Sequence, residues 1–335
     1  MCPACRRPSE RGVELSTLAV TLRARVQPGL RGQPDDLVEG ILRCTGCGRT
    51  YPVIDGLPII FTDLGALLRT EAAALVSQPL CPEVQAALAA PGPDEAPLTY
   101  ALESLGAYLD ASWGDRATPP PDGPVPRLGA AGLVEKLRAR SQAKVHRALE
   151  VGCGVGRGLA ALREGAGLVV GVDRSPGALK LAQRILRGER VDFPRRTLGR
   201  AYAPARIDAG PLACPDVQLV CADVFGLPFA PGTFERVAAL NLLDVVHAPR
   251  ALLRELHWLA PSGGELLLAS PYAFRSGVVD EDQRLEGDPV ARLRIEAHAL
   301  GWTIDEEEAR VPWTLRRDSR SASVYEVHWL RARRA

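Results

Sequence analysis

The feature that most constrains the fold is a run of glycines between residues 152 and 158. It follows a short apolar segment, 147–151, and reads Gly152-Cys153-Gly154-Val155-Gly156-Arg157-Gly158. Glycine adopts positive φ at little steric cost and lets a ligand approach the main chain closely. The apolar segment, the glycine run and the helical pattern after it predict a strand, a tight ligand-binding turn and a helix.

From Gly129 onward, strand patterns alternate with helical patterns. This alternation is typical of a parallel sheet that is covered by helices on both faces, so the predicted fold class is α/β, doubly wound. The predicted helices are 135–144, 159–163 and 176–186. The predicted strands are 147–151, 168–172, 217–221, 234–240 and 265–269.

Three acidic residues stand at the ends of predicted strands. Glu150 lies two positions before the first glycine, Asp173 lies 21 positions after Gly152, and Asp223 ends the third strand. Open α/β sheets bind their ligands at the carboxyl ends of the strands. We expect Asp173 to accept hydrogen bonds from ribose hydroxyls and Asp223 from an adenine amino group.

In the order of its motifs, the region 129–335 resembles the class I methyltransferases that use S-adenosylmethionine (SAM). The glycine run with Glu150 is similar to their motif I, Gly171-Val172-Asp173 to the acidic position that follows, and 227–237 and 252–266 to the later motifs. The resemblance implies a Rossmann-like domain with SAM as its cofactor. The implied cofactor-binding residues are Glu150, Gly152, Gly154, Gly156, Asp173, Asp223, Val224 and Asn241.

Two other interpretations of the glycine run stay open. One is a NAD-binding Rossmann domain, because dinucleotide sites also use such a turn. The other is a SAM-binding fold without activity, which would hold a partner as a scaffold.

A second resemblance concerns the methyl acceptor. Segments 241–244, 270–272 and 312–316 together resemble the 4-mercaptohistidine N-methyltransferases of ovothiol synthesis, although that family's tryptophan after Ser-Pro-Tyr is replaced here by Ala273-Phe274. The resemblance implies a small amine or imidazole acceptor. The implied substrate-binding residues are Tyr272, Arg316 and Arg320, and the catalytic candidates are Asn241, Asp244, His247 and Tyr272.

Plainer roles fit some of these residues equally well. His247 precedes Pro249 and suits an ordinary loop position, and Arg316 and Arg320 suit a solvated strand end. The Asn-Pro-Pro-Tyr motif of adenine and glutamine N-methyltransferases is absent after the fourth strand. An RNA or translation-protein methyltransferase is the alternative to a small-molecule enzyme.

Two Cys-x-x-Cys pairs near the start of the chain suggest a zinc site. Cys2, Cys5, Cys44 and Cys47 supply four thiolates, the usual ligand set of structural zinc. The 38 residues between the pairs exceed the usual ribbon spacing, so a helical or looped insertion near 17–25 is expected. Segments 44–48 and 51–58 resemble the small zinc-ribbon family that activates tRNA, rRNA and translation-factor methyltransferases. That resemblance implies a ribbon that packs on its own methyltransferase domain.

Segment 187–215 combines arginines with aromatic residues. Such a composition suits contact with phosphate or nucleic acid, but long loops are more often solvated insertions. The expectation is a loop that closes over the cofactor or acceptor. Its basic and aromatic residues are Arg187, Arg190, Phe193, Arg195, Arg196, Arg200, Tyr202 and Arg206.

Length and charge set the outer limits of function. The 335 residues divide by composition into a ribbon (1–62), a helical, proline-rich linker (63–127) and a methyltransferase domain (128–335). The net charge of +1 lacks the basic excess of a dedicated nucleic-acid binder. No apolar stretch approaches the roughly 20 residues that span a bilayer, and no secretory signal is visible, so a cytoplasmic protein is expected.

Overall fold

A computed structural model describes most of the chain. The described residues are 2–5, 7–9, 12–14, 16–28, 34–64, 67, 105–119, 129–140, 143–198, 201–274 and 277–335. Most of the predicted linker, with its first proline cluster and Cys81, lies outside these residues. The described part of the linker contains the α-helix Gly106–Trp113, in line with the helical character expected of the linker.

One mixed sheet of 11 strands organises the described residues. Its strands are β3 (Leu18–Gln27), β4 (Asp36–Cys44), β5 (Thr50–Ile54), β6 (Leu57–Ile60), β7 (Val145–Val151), β8 (Ala166–Asp173), β11 (Gln218–Ala222), β12 (Arg236–Leu240), β13 (Glu265–Ser270), β14 (Trp302–Arg316) and β15 (Ala322–Arg334). The strand order is β14-β15-β13-β12-β7-β8-β11-β6-β5-β4-β3. Strands β13 through β6 in this order are parallel, and the strands at both edges are antiparallel.

Two short hairpins lie outside the large sheet. Strands β1 (Arg7–Ser9) and β2 (Gly12–Glu14) form one, and β9 (Val191–Leu198) and β10 (Ala201–Ile207) form the other. The second hairpin replaces the long loop that the sequence suggested for 187–215. Every second residue of β9 from Val191 to Arg195 is buried, and β9 packs against helix α1 (Gly106–Trp113). This one-sided packing favours strands over a solvated loop.

Helices cover both faces of the sheet, which confirms the predicted α/β fold. Besides α1 they are α2 (Ala131–Arg140), α3 (Arg157–Arg163), α4 (Pro176–Leu186), α5 (Pro249–Leu259) and α6 (Pro289–Ala299). Local chemistry fixes some of their starts. In α4, Pro176 occupies the first turn and the Ser175 hydroxyl accepts from the Ala178 amide at 3.3 Å.

The two faces carry separate apolar cores. One core contains Leu137 of α2, Leu159 of α3 and Leu179 of α4, and the other contains Leu256 of α5 and Leu293 of α6. Strand β7 contributes to both cores, because successive side chains of a strand point to opposite faces. This arrangement leaves the carboxyl ends of the parallel strands free to form a site.

The cysteine-rich segment continues the central sheet. Strand β6 pairs in parallel with β11, with Ile59 opposite Cys221 and Ile60 opposite Ala222. The expected helical insertion near 17–25 is wrong, because Leu18–Gln27 is strand β3 and pairs antiparallel with β4. Pairing along most of β3 outweighs the local sequence pattern. Backbone hydrogen bonds between β6 and β11 therefore join the cysteine-rich segment to the parallel part of the sheet.

Among the described helices, none has the length and apolar content needed to cross a membrane.

Candidate functional site

The glycine run forms a tight turn between β7 and α3, as predicted. Gly152, Gly154 and Gly156 all have positive φ, at 73°, 51° and 82°. A side chain at Gly152 would meet Leu242 at 2.9 Å, and one at Gly156 would meet Ala182 at 3.1 Å. The amides of residues 152 and 153 donate to the Val172 carbonyl, at 2.8 and 3.0 Å, and fix the turn against β8. Glycine is required here by both conformation and space.

The three acidic residues line one cavity at the carboxyl ends of the strands. Glu150 is buried; burial first, and then the neighbouring Asp173, raise its pKa to about 8. Burial also raises the pKa of Asp173, although its oxygens accept from the Gly154 and Ser175 amides, both at 2.8 Å. Asp223 accepts from the Phe225 amide at 3.0 Å. These hydrogen bonds hold the Asp173 and Asp223 carboxylates in place at the cavity wall.

The cavity has a volume of about 600 Å³, which suits a small-molecule ligand. It is lined by the glycine turn, the three acidic residues, α1, α2 and the β14–β15 hairpin. The predicted residues that line it are Glu150, Gly152, Gly154, Asp173, Asp223, Val224, Asn241, Asp244 and His247. Gly156 shapes the turn but is not part of the wall.

The segment after β12 places three predicted residues at the cavity. Asn241 has a φ of 52°, and its buried Oδ1 has no hydrogen-bond partner among the described residues. Asp244 is buried and accepts from Ser270 Oγ at 3.1 Å and from the Ala273 amide at 3.2 Å. The His247 ring lies edge-on to Phe225, with centroids 4.4 Å apart. All three residues place polar atoms at the wall of the cavity.

The predicted substrate-binding residues lie outside this cavity. The Tyr272 hydroxyl bonds to His328 Nδ1 at 2.5 Å, and His328 Nε2 bonds to Glu307 at 2.8 Å. Burial raises the pKa of Tyr272 and lowers that of His328. Arg316 is buried near Asp110, 3.7 Å away, and the Arg320 amide donates to Asp318 at 2.7 Å.

Sequence reasoning missed several residues of the cavity wall. Trp313 and Tyr325 are opposite each other on β14 and β15, with stacked rings 5.0 Å apart. Tyr108 joins them from α1, and Arg157 enters from the end of the glycine turn. A sequence signal was present for Arg157, directly after Gly156, and for Trp313, inside the segment 312–316 that carries a family resemblance. The others are brought in by tertiary packing from distant segments.

The four cysteines come together as predicted. Their sulfur atoms lie within 4.8 Å of one another, with Cys2 Sγ 3.8 Å from Cys47 Sγ and Cys5 Sγ 3.7 Å from Cys44 Sγ. Tetrahedral zinc with Zn–S bonds of about 2.3 Å places its sulfurs roughly 3.8 Å apart. The thiol cluster is therefore compatible with zinc.

Hydrogen bonds favour the ionised form of one thiol of the cluster, that of Cys44. The pKa of Cys44 is lowered to about 6. Burial acts to raise it, but hydrogen bonds of its sulfur with Ser16 and with the amides of Cys47 and Gly46 outweigh burial. Zinc binds the thiolate form of cysteine, so this surrounding favours a metal ligand.

Comparisons with known proteins agree with this geometry. Residues 149–268 match the family model described as a methyltransferase domain. A search of curated proteins found no match.

Solved structures with a similar arrangement include three bacterial proteins. The YcgJ protein of Bacillus subtilis is 12% identical, with a TM-score of 0.42, over 60% of this chain and 97% of its own. Magnesium protoporphyrin IX methyltransferase of Synechocystis, solved with SAM, is 17% identical, with a TM-score of 0.43, over 71% and 94%. The tRNA (m1A58) methyltransferase of Aquifex aeolicus is 15% identical, with a TM-score of 0.40, over 61% and 68%. The present chain contains a methyltransferase domain, at residues 149–268.

Proposed function

We propose that this SAM-dependent methyltransferase methylates a nitrogen of a small amine or imidazole-type molecule. The observation that carries the proposal is an aromatic wall, formed by Tyr108, Trp313 and Tyr325, in the same cavity as the glycine turn. The Trp313 and Tyr325 rings stack on each other with centroids 5.0 Å apart and an interplanar angle of 29°, and the stacked pair contributes aromatic surface to the cavity wall. A planar heterocycle stacks on such a surface, and a cationic amine is attracted to it.

The remaining polar residues of the cavity suit methyl transfer to nitrogen. SAM supplies an activated methyl group when it is bound. A neutral amine or imidazole nitrogen attacks with its own lone pair, so the protein mainly aligns the acceptor. Asn241 and Asp244 can accept hydrogen bonds from the acceptor, and His247 can receive the proton that a methylated amine releases. The glycine turn, Asp173 and Asp223 are proposed to hold the cofactor.

The β9–β10 hairpin gives little support to an RNA acceptor. Three arginines in or beside the hairpin pair with acidic groups, two of them being Arg190 with Asp208 at 3.1 Å and Arg206 with Asp192 at 2.7 Å. Arg195 pairs with Asp110 at 2.5 Å. None of the described residues of the hairpin lines the cavity. Phosphate binding needs cations that are available to the nucleic acid, and each of these three cations already has an acidic partner.

Transfer of tritium from methyl-labelled SAM tests the acceptor class. We expect labelling of imidazoles and small amines, and no labelling of transfer RNA. Trp313→Ala should raise the KM for the acceptor at least about tenfold, because stacking is worth roughly 0.5–1.5 kcal/mol beyond area burial. Val324→Ala is the matched control on the same hairpin, since Val324 is 61% exposed, and it should leave KM unchanged.

Other outcomes of that assay select the alternatives. Labelling of RNA or of a translation factor, with none of small molecules, would replace the proposal with the macromolecular one. SAM binding without transfer to any fraction of a cell extract would indicate a scaffold.

We further propose that Cys2, Cys5, Cys44 and Cys47 bind one structural zinc ion. The near-tetrahedral spacing of the sulfurs supports this site, and a reducing compartment such as the cytoplasm would preserve it. The purified protein should contain about one equivalent of zinc by mass spectrometry of the metal. Cys47→Ser should lose most of it, whereas Cys214→Ser, outside the cluster, should keep it. Equal zinc content in both variants would contradict the assignment.

A further inference from the structure

Arg157 is a buried cation whose bonding is incomplete. It begins α3 directly after Gly156, lines the cavity and is only 8% exposed. Its Nη2 donates to Asp115 at 2.8 Å, but its Nη1 is buried and has no hydrogen-bond partner among the described residues. A buried N–H group without a partner costs free energy, so its presence calls for a ligand that completes it.

The guanidinium is held in place by its neighbours. It stacks on Trp113 of α1, with Cζ 4.8 Å from the ring centroid. The Trp113 ring is fully buried, and its Nε1 donates to the Val155 carbonyl of the glycine turn at 2.8 Å. The cation is therefore fixed between α1 and the turn, and a ligand does not have to order it.

Asp115 compensates only part of the charge of Arg157, so the guanidinium can bind a second anion. The Asp115 side chain is 55% exposed, so water screens much of its attraction for the guanidinium. An arginine fork has five donors, and it can serve two carboxylates at once. Arg157 thus keeps an unused donor and a partly uncompensated charge beside the cavity.

SAM carries one anionic group, the α-carboxylate of its methionine part. Among the described residues that line the cavity, Arg157 and Arg174 have cationic side chains. Arg174 is exposed and follows Asp173, the proposed ribose ligand. The buried cation at the glycine turn is Arg157.

We propose that Arg157 binds the α-carboxylate of SAM through Nη1. The proposal rests on the SAM-dependent activity and not on the identity of the methyl acceptor. Trp113 and Asp115 act on the cofactor only by holding the guanidinium. The site therefore recognises the amino-acid end of the cofactor as well as its nucleoside end.

Calorimetric titration with two stable ligands tests this role. S-adenosylhomocysteine has the carboxylate, and 5′-methylthioadenosine has the same nucleoside and thioether without the amino-acid part. Arg157→Met should weaken S-adenosylhomocysteine binding about 10- to 100-fold, the range for a hydrogen bond to a charged group. Binding of 5′-methylthioadenosine should change less than about threefold on the same scale. Arg157→Lys should restore part of the loss.

A structural role predicts a different result. If Arg157 only ties α1 to the glycine turn, Arg157→Met weakens both ligands by the same factor, and this outcome overturns the proposal. Asp115→Asn is the matched control, because it removes the other partner of the guanidinium and should leave the ratio of the two affinities unchanged.

The wild-type protein provides a test that does not depend on folding of a variant. Decarboxylated SAM keeps the sulfonium and the amine but lacks the carboxylate, and it should bind at least about tenfold more weakly than SAM. Equal affinities would overturn the proposal. These measurements require no methyl acceptor, so a wrong acceptor assignment leaves them intact.

Discussion

The two edges of the sheet at which the parallel strands begin and end differ in how their buried polar groups are bonded. At the amino-terminal edge, Arg236 begins β12 and is 1% exposed, and it pairs with Glu265 at the start of β13. Arg236 Nη2 also donates to the Ala143 carbonyl at 3.0 Å, and Glu265 also pairs with Arg331 at 2.5 Å. The charges at this edge are paired within the protein, although Arg236 Nη1 is also buried without a hydrogen-bond partner among the described residues.

At the carboxyl-terminal edge, polar atoms face the cavity without partners. Glu150 Oε2, Asn241 Oδ1 and Arg157 Nη1 are buried and unbonded among the described residues. Such groups destabilise the folded chain unless a ligand completes their hydrogen bonds. We infer that ion pairs at the amino-terminal edge stabilise the fold, whereas the carboxyl-terminal edge binds a ligand. Substitutions at the two edges should therefore have different effects.

Breaking the pair at the amino-terminal edge should have the largest effect. Arg236→Ala leaves Glu265 with one partner fewer, and loss of one member of a buried pair costs about 3–5 kcal/mol. Urea unfolding should report this loss, whereas the SAM affinity of the folded fraction should be unchanged. The double variant Arg236→Met with Glu265→Leu replaces the pair by apolar groups and should recover most of the stability. A single variant as stable as the wild type would contradict the structural role of this edge.

Asp173→Ala should affect binding more than stability. The lost carboxylate is the proposed ribose ligand, so SAM affinity should fall about 10- to 100-fold, or roughly 1.5–3 kcal/mol. The Gly154 and Ser175 amides that it accepts from can bond to water in the cavity. Asp216→Ala, whose carboxylate pairs with Arg163 away from the cavity, is the control and should bind SAM normally. Unchanged affinity in Asp173→Ala would remove the ribose assignment.

The raised pKa of Glu150 predicts a pH dependence of stability. Its usual pKa of 4.5 applies to the unfolded chain, and its folded pKa is about 8, so the folded state binds more protons between these values. The stabilising contribution is complete below pH 4.5 and is lost as the pH rises through 8, at up to about 1.4 kcal/mol per pH unit.

Glu150→Gln should remove this slope. Urea unfolding at pH 5.5, 6.5 and 7.5 compares it with the wild type and with Glu189→Gln, an exposed control that should keep the wild-type slope. Identical slopes for all three proteins would mean that Glu150 is ionised in the folded state.

Tyr272 should give the smallest effect, because it follows β13 but lies outside the cavity wall. Tyr272→Phe removes the hydrogen bond with His328 and should cost about 1 kcal/mol of stability. Neither SAM affinity nor kcat should change by more than about twofold. A loss of kcat beyond tenfold would return Tyr272 to the acceptor site that the sequence suggested.

The sequence predicted which residues meet at the carboxyl-terminal edge of the strands because the signals for this edge are local. Glycines at fixed spacing impose the turn, and Asp173 and Asp223 follow strands that periodicity identifies. The acceptor side could not be predicted in this way. Tyr108 lies about 200 residues before Trp313 in the chain, and only the packing of α1 against the β14–β15 hairpin brings them together.

The cysteine-rich region shows the same limit. Four cysteines in two pairs predicted their own clustering, since metal ligands impose a spacing. The strand β3 was missed because its extended conformation depends on pairing with β4, which a local sequence pattern does not show. The described residues between the two cysteine pairs include the strands β1 to β4 and no helix.

The most direct test of the account is calorimetric titration of the purified protein with SAM and, separately, with NAD. Both ligands suit a glycine turn of this kind, but the acidic residues and the buried Arg157 at the cavity fit a nucleoside with an amino-acid tail. We predict micromolar binding of SAM and no measurable binding of NAD. Binding of NAD with no binding of SAM would contradict the account at its centre.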